Sequence, residues 1–245
     1  MQIDPALHST VDNYKLLTNL VVPRPIAWIT SQNENGVVNL APFSFFNAVS
    51  SNPPYVFVSI GQNSAGEPKD TSRNIQASGE FVVNLVTEDL FTAMNISAAD
   101  FPADQSELEL AKLHTAPSVH IKTPRVAEAQ VSLECKLFSA QPLGTYTLII
   151  GELVMFHVAD HLMGSRSHIN NFSPIGRLGS PSVYCRTTDR FDIAPRLDSL
   201  RPGDSVEFNG VYEWNAKGGV IHWTHRDPSG RHQAGWLRHA GRTYR

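Results

Sequence analysis

Two segments near the N-terminus combine hydroxyl, proline and aromatic residues in an order suited to holding a flat heteroaromatic ring. Residues 26–31 form an apolar stretch that ends in Thr-Ser, and residues 37–47 read VVNLAPFSFFN. Because proline cannot donate to a β-ladder, a strand interrupted at Pro42 leaves backbone groups available to the polar edge of such a ring. The phenylalanines of the second segment would supply its apolar walls. A bulged strand with core phenylalanines fits the same pattern.

A third segment has the composition of a phosphate site. Residues 69–75 read KDTSRNI and follow a polar loop at 61–68. If this segment opens a helix, its first amides have no partner within the helix and lie at the positive end of the helix dipole. Lysine, arginine and hydroxyl side chains would add to that binding. An ordinary helix with Asp70 as its N-cap and two solvated cations is the alternative.

Together these segments resemble the flavin reductase-like family. The matching stretches are PRPIAWITS, NLAPFSFF, PPYVFVSI and KDTSRNI, in the family's order and spacing, and the resemblance covers most of residues 8–190. Weaker matches are GEL at 151–153 and PIGRL at 174–178. The resemblance implies an FMN-binding split β-barrel that passes electrons from NAD(P)H to flavin. It also implies a homodimer with the flavin near the dimer interface.

The resemblance assigns cofactor-binding roles position by position. Thr30 and Ser31 match residues that line the isoalloxazine ring and its ribityl chain, and Ser59 and Ile60 end the strand leading to the phosphate loop. The residues that match the segment presenting backbone groups to the ring are Ala41, Pro42, Phe43, Ser44 and Phe45. The residues that match the phosphate-side motif are Lys69, Asp70 and Thr71, with Asn74 in support.

One position departs from the family pattern. Reductase partners of two-component monooxygenases often carry Gly-Asp-His before the strand that ends in Gly-Glu-Val, whereas this chain has Gly144-Thr145-Tyr146 there. Tyr146 therefore weakens the expectation of nicotinamide-dependent reduction more than that of FMN binding, and a packed strand tyrosine is its ordinary role. No catalytic side chain is assigned, because hydride transfer needs no protein acid.

The composition restricts the class of protein. The chain has 245 residues, 41% of them hydrophobic, and a formal net charge of -3, which does not favour binding nucleic acid or a membrane through bulk charge. We find no apolar stretch of transmembrane length and no secretory signal pattern. The only cysteines are Cys135 and Cys185, so we expect a cytoplasmic protein. The histidines do not form a metal-binding template, and no metal is expected.

The elements that position these residues are mostly strands. Alternating or compact apolar runs predict strands over residues 26–31, 55–60, 81–86, 131–137 and 145–158. Residues 37–49 form a longer run broken at Pro42. Short helices are expected over 70–78, 88–98 and 106–113. This pattern predicts a mostly β fold, a barrel with a few short helices and a C-terminal β-hairpin extension.

The composition changes near residue 192. Residues 192–245 contain Trp214, Trp223 and Trp236, and they carry 8 basic and 6 acidic residues. Strand-like runs at 206–214 and 220–225 flank a glycine-rich turn, which predicts a hairpin. We therefore divide the chain into a flavin-binding domain, 1–191, and a small extension, 192–245. The extension resembles part of a small uncharacterised bacterial domain, which implies no function; a nucleic-acid surface and a dimer or lid contact both remain open.

The expected function is thus an FMN-dependent oxidoreductase of the flavin reductase-like type. Two alternatives remain at this stage. One is a flavin-binding carrier or sensor without reductase turnover, and the other is an interaction protein that acts through residues 192–245.

Overall fold

Two units make up the chain, Met1–Thr188 and Asp189–Arg245, and each is described by itself. The computed structural model describes residues 1–99, 101–102, 105–179, 182–188, 203–209, 211–213, 220–222, 235–239 and 241–244.

The first unit is built mainly from strands. Its strands are β1 (Ala27–Gln32), β2 (Val38–Phe43), β3 (Phe46–Ser51), β4 (Pro54–Gly61), β5 (Glu80–Asn84), β6 (Thr115–Ala116), β7 (Arg125–Val126), β8 (Val131–Leu143), β9 (Tyr146–Val158), β10 (Gly176–Arg177) and β11 (Tyr184–Cys185). Its helices are α1 (Thr10–Leu20), α2 (Asp70–Ser78), α3 (Phe91–Ile96) and α4 (Glu107–Leu110), with 3₁₀ turns at Pro5–Leu7, Glu88–Leu90, Asp160–Leu162 and Ser165–Ser167. In the described part of the chain, no helix has the length and apolarity needed to cross a bilayer.

Seven strands form one antiparallel sheet in the order β2-β1-β5-β8-β9-β4-β3. The strand β2 lies at one edge and β3 at the other, although the two follow each other in the chain. The amide of Ser59 in β4 donates to the carbonyl of Phe45, at the link between them. The expected mostly β fold with few short helices is confirmed.

The main hydrophobic core is formed by side chains of the seven-stranded sheet. Phe81, Ile149 and Cys135 are each fully buried there, and Ile75 of α2 packs against the same cluster. A second cluster around Trp28 and Leu40 is covered by α3 and α4. The indole N–H of Trp28 donates to Ser97 Oγ at 2.8 Å, so this large side chain is buried with its polar atom paired.

The break in the run 37–49 differs from the prediction. Pro42 lies inside β2, opposite Trp28, and the strand ends one residue later, so the interruption falls at Ser44 and Phe45. The physical reason is that β2 is an edge strand, where a proline without an N–H is tolerated. Because β2 is an edge strand, its outward-facing backbone N–H and C=O groups are available to a ligand. No interruption of the strand at Pro42 is needed to free them.

The outer face of β8 is more buried than its alternation predicts. Ser132 and Glu134, which alternate with the core residues Leu133 and Cys135, are both fully buried. Glu134 accepts hydrogen bonds from the amides of Val119 (2.7 Å) and His120 (2.8 Å) and lies 2.5 Å from His157 Nε2. Burial alone would raise the pKa of Glu134, but these hydrogen bonds outweigh it, and the pKa lies below the ordinary glutamate value. We call Glu134 with residues 118–123 the loop clamp.

The described residues of the second unit form two small antiparallel sheets. Its strands are β12 (Val206–Asn209), β13 (Val211–Glu213), β14 (Val220–His222), β15 (Trp236–His239) and β16 (Arg242–Tyr244). The pair β13–β14 forms the predicted hairpin. The second sheet, in the order β12-β15-β16, was not predicted. Trp214 and Trp223, on which the sequence argument also drew, lie outside the described residues.

Candidate functional site

Two adjoining cavities lie where β2 ends, beside the beginning of α2. The larger has a volume of about 390 Å³ and the smaller about 160 Å³. Both cavities are lined by Pro42, Phe43, Lys69 and Ala98, so the two adjoin at these residues. The larger volume falls within the usual range for a small-molecule or cofactor site.

Aromatic rings from three elements form one wall of the larger cavity. The Phe45 ring stacks on the Tyr146 ring with centroids 5.8 Å apart and planes at 20°, and the Tyr14 ring of α1 is tilted at 38° to Phe45 with centroids 6.3 Å apart. A Cβ at Gly61 would lie 3.1 Å from the Tyr146 ring, so glycine permits this close approach. Burial raises the pKa of Tyr146 above the ordinary tyrosine value.

The larger cavity is cationic. Arg24, Lys69 and Arg177 line it, and no Asp or Glu occurs among the described residues of its lining. The Arg24 guanidinium is buried and donates to the carbonyls of Thr18 (2.6 Å) and Val21 (2.7 Å) near the end of α1. Burial lowers the pKa of Arg24, and the nearby Arg177 charge lowers it further. An anionic ligand is the species that such a cavity favours.

The beginning of α2 faces the smaller cavity. Lys69 occupies the N-cap position and makes no side-chain capping bond, while Asp70 is the first helical residue and accepts from Arg73. The alternative in which Asp70 is the N-cap is wrong, because Lys69 holds that position. The Asp70 carboxylate accepts from Arg73 instead. Thr71 is buried, and its Oγ1 lies 2.8 Å from the side-chain amide of Asn39. The amides of the first turn are thus left to a ligand or to solvent.

A buried carboxylate completes the smaller cavity. Glu107 Oε2 accepts from the amide of Leu40 at 2.8 Å. Burial raises the pKa of Glu107, although the bond from Leu40 opposes that shift. The anion-binding character is therefore concentrated in the larger cavity and at the α2 N-terminus rather than at Glu107.

Most of the residues that the resemblance assigns to the cofactor lie on these walls. The larger cavity is lined by Pro42, Phe43, Ser44, Phe45, Ser59 and Lys69. The smaller cavity adds Ala41, Asp70 and Thr71. Four others do not line either cavity: Thr30, Ser31 and Ile60 are buried in the sheet, and Asn74 donates to Ser31 Oγ at 3.3 Å. The bond between Asn74 and Ser31 joins α2 to β1 behind the wall, and the role of all four residues as cofactor ligands stays a prediction.

Several cavity residues were not assigned from the sequence. They are Tyr14 and Thr18 of α1, Arg24 before β1, and Arg177 and Tyr184 of the β10–β11 hairpin. Arg24 lies within the motif PRPIAWITS and Arg177 within PIGRL. The match of these motifs to the family was the sequence evidence that could have indicated both residues. Within the described part of the chain, no cluster of three His, Cys, Asp or Glu residues could hold a metal ion.

Comparison with known proteins gives several matches. The family model "Flavin reductase like domain" matches residues 19–188, and a family of unknown function, DUF3465, matches residues 154–245. The uncharacterized protein YwrF of Bacillus subtilis is 42% identical over 194 residues, which cover 76% of this chain and 94% of YwrF. Two solved structures resemble the fold closely.

The first is nitrilotriacetate monooxygenase component B from Bacillus cereus, with a TM-score of 0.75 and 43% identity over 79% of this chain and 98% of that one. The second is the 2-nitrobenzoate 2-nitroreductase NbaA of Pseudomonas fluorescens, with a TM-score of 0.74 and 33% identity over 83% of this chain and 100% of that one. Since the family model covers well over half of the residues and the sheet has the split-barrel fold of these structures, the chain belongs to the flavin reductase-like family.

Proposed function

We propose that the protein is an FMN-dependent oxidoreductase that takes electrons from NAD(P)H. The observation that carries this proposal is the pair of adjoining cavities, one cationic and aromatic, the other facing an uncapped helix N-terminus. A flavin mononucleotide has the matching parts, which are a flat ring and a terminal phosphate. The relatives support a redox role, since one is a monooxygenase component and another a nitroreductase by their names.

The chain's own residues fit FMN in this orientation. Lys69 and the first amides of α2 would bind the phosphate, because these N–H groups have no acceptor within the helix. The segment Pro42–Phe45 would contact the ring through the backbone and the Phe45 side chain. When bound, FMN supplies the hydride and electron chemistry, and the protein binds it, orients it and excludes water.

The larger cavity also suits a second flat ring. Tyr146 stacks on Phe45 in its wall, and the Tyr146 hydroxyl is a hydrogen-bond donor. A nicotinamide held there would meet aromatic walls and the positive charge of Arg177. Tyr146 thus takes a place in the cavity wall, in addition to its packing role.

We also propose that the active unit is a homodimer. Helix α1 exposes Val11, Leu17 and Leu20, and the edge strand β3 borders an apolar cavity of about 700 Å³. Exposed apolar side chains on α1 and an apolar cavity beside an edge strand each favour a protein partner, and a second copy is the occupant we propose. Light scattering of the full-length protein at micromolar concentration should give twice the chain mass; a flavin-loaded monomer would contradict the proposal.

The cysteines agree with a cytoplasmic location, which we propose as well. Cys135 is buried and Cys185 half-buried, and both are free thiols. Free thiols persist in reducing compartments.

The visible spectrum of the purified protein tests the cofactor, and anaerobic mixing with NADH or NADPH tests the reaction. Bound FMN should be visible and should bleach when one of the two nucleotides is added. A protein that holds FMN but is bleached by neither nucleotide is a carrier or sensor. A protein without flavin that captures a partner only when residues 192–245 are present is an interaction protein.

A further inference from the structure

Three polar side chains from three elements are connected in a row at the smaller cavity. Glu107 of α4, Asn39 of β2 and Thr71 of α2 all line it. One terminal atom of the Asn39 amide lies 3.2 Å from Glu107 Oε1, and the other lies 2.8 Å from Thr71 Oγ1. The second Glu107 oxygen, Oε2, accepts from the amide of Leu40 at 2.8 Å. Asn39 therefore connects a buried carboxyl group to a hydroxyl at the beginning of α2.

An ionised Glu107 permits only one orientation of the Asn39 amide. A carboxylate has no proton to donate, so the Asn39 NH₂ group must point to Glu107 Oε1. The Asn39 oxygen then accepts from the Thr71 hydroxyl at 2.8 Å. A threonine hydroxyl has a single proton. Since that proton is directed to Asn39, Thr71 offers a ligand only the lone pairs of its oxygen.

A protonated Glu107 favours the reverse orientation. Its Oε1–H group can donate to the Asn39 oxygen, while Oε2 still accepts from Leu40. The Asn39 NH₂ group then donates to Thr71 Oγ1 at 2.8 Å. This leaves the Thr71 proton free to be donated to a ligand. Phosphate oxygens are strong acceptors, so the reverse orientation is the one that suits a phosphate.

The surroundings of Glu107 make a change of protonation accessible. The residue is only 6% exposed. Burial raises the pKa of Glu107 and the Asp70 carboxylate raises it further, although hydrogen bonds from backbone amides oppose the shift. Among the described residues that line the cavity, the other charged groups are Lys69 and Asp70, and Asp70 pairs with Arg73. The neighbouring elements β2 and α3 contribute no titratable side chain, and Glu109 of α4 is exposed.

We infer that Glu107 is a positioning residue, which determines through Asn39 whether Thr71 donates to the group bound at the beginning of α2 or accepts from it. The inference rests on the proposed function in one respect, namely that this group is the FMN phosphate. A protonated Glu107 favours the phosphate twice, because it releases the Thr71 proton and removes a negative charge from the cavity. An ionised Glu107 opposes the phosphate in both respects.

Glu107→Gln tests the inference, because glutamine reproduces the protonated form at every pH. Its NH₂ group can donate to the Asn39 oxygen while its oxygen accepts from Leu40. We would titrate FMN and riboflavin into full-length wild type and variant, followed by fluorescence, from about pH 5 to about pH 9. The FMN phosphate itself titrates near pH ~6, but this affects both proteins equally and cancels in the ratio of their affinities.

The variant should bind FMN as tightly as wild type at the acidic end and roughly tenfold more tightly at the alkaline end. Riboflavin, which has no phosphate, should bind equally to both proteins throughout. A residue that only holds the fold together would not gain FMN affinity when it is replaced. A Glu107→Gln variant that binds FMN no better than wild type at any pH would therefore overturn the inference.

Two further variants separate the hydrogen-bond chain from simple charge removal. Glu109→Gln is the matched control, since Glu109 lies on the same helix, is exposed and does not line either cavity. It should leave the FMN-to-riboflavin ratio unchanged at every pH. Thr71→Val keeps the side-chain shape and removes the hydroxyl. In the Thr71→Val background, the gain from Glu107→Gln should shrink, and an undiminished gain would overturn the role of Asn39 and Thr71.

The side-chain amide signals of Asn39 in NMR spectra report on the same chain without flavin. In the wild-type protein they should shift with pH as Glu107 titrates, and in Glu107→Gln they should not. Wild-type signals that stay constant with pH would overturn the inference even if FMN binds. Signals that shift in a protein that binds neither flavin would support the hydrogen-bond chain and contradict the proposed function, so the two failures are distinguishable.

Discussion

The loop clamp gives a stability prediction whose size can be worked out from its contacts. Glu134→Ala removes a fully buried carboxylate that accepts from two amides and contacts His157. A buried donor left without an acceptor costs about 1–3 kcal/mol. Because water partly reaches these amides and His157, we take the low end of that range for each. The expected loss in the free energy of unfolding is then roughly 3 kcal/mol. This is similar to the loss found when one partner of a buried ion pair is removed.

The same contacts predict a pH dependence. The pKa of Glu134 is lower in the folded protein than in the unfolded chain, so its contribution is fully present above the ordinary glutamate pKa. That contribution is lost as the pH falls through the folded-state value. The stability difference between wild type and Glu134→Gln should therefore be largest near neutral pH and shrink below about pH 4.

Urea denaturation followed by circular dichroism measures both effects, and amide exchange at Val119 and His120 locates them. Glu88→Ala is the matched control, because Glu88 pairs with Arg186 in solvent, where charge pairs contribute little. A Glu134→Ala midpoint equal to that of Glu88→Ala would refute the reasoning. A loss that persists undiminished at pH 3 would refute the assigned pKa direction. Flavin affinity should not change, since Glu134 does not line either cavity.

Three further predictions concern the site and the domain division. Lys69→Ala with Thr71→Ala should weaken FMN by on the order of tenfold and riboflavin much less, as measured by fluorescence titration; equal losses would argue against the phosphate assignment. Gly61→Ala should cost about 1–3 kcal/mol or displace the Tyr146 ring, because the new Cβ would lie 3.1 Å from it; an unaltered melting curve and unaltered ring resonances would count against this contact. A chain that ends at Phe191 should keep its flavin spectrum and a cooperative melt, and loss of flavin with precipitation would show that the extension is integral to the first domain.

The local pattern was sufficient to predict most strands and the mostly β class. Alternation over 131–137 and 145–158 matches β8 and β9, because half-buried strands have a period of two. It failed for Glu134 on the outer face of β8, since residues 118–123 of the loop clamp carry no periodic signal and reach Glu134 through backbone amides. It also misplaced the break at Pro42, because edge position is a property of the whole sheet.

The site was partly predictable for a similar reason. Residues that are close in sequence, such as 41–45 and 69–71, were found because their types and order form a recognisable motif. The pairing of Arg24 with Arg177 joins positions far apart in the chain, and a single sequence does not show which strands meet. Tyr14 was missed because no helix was predicted over residues 10–20, and only the fold brings its ring to Phe45.

The attachment of α1 has a consequence for kinetics. This helix covers the larger cavity with Tyr14 and Thr18, and the last-turn carbonyls near its end are held by the Arg24 guanidinium. Elements with few buried apolar contacts open at low free-energy cost, and α1 leaves Val11, Leu17 and Leu20 exposed within its own chain. We therefore expect the residence time of a bound ligand to follow the opening of α1. A substitution in α1 that slows its amide exchange should then also slow the release of the ligand measured by stopped flow, and one that speeds exchange should speed release. The association rate of the ligand would respond mainly to ionic strength.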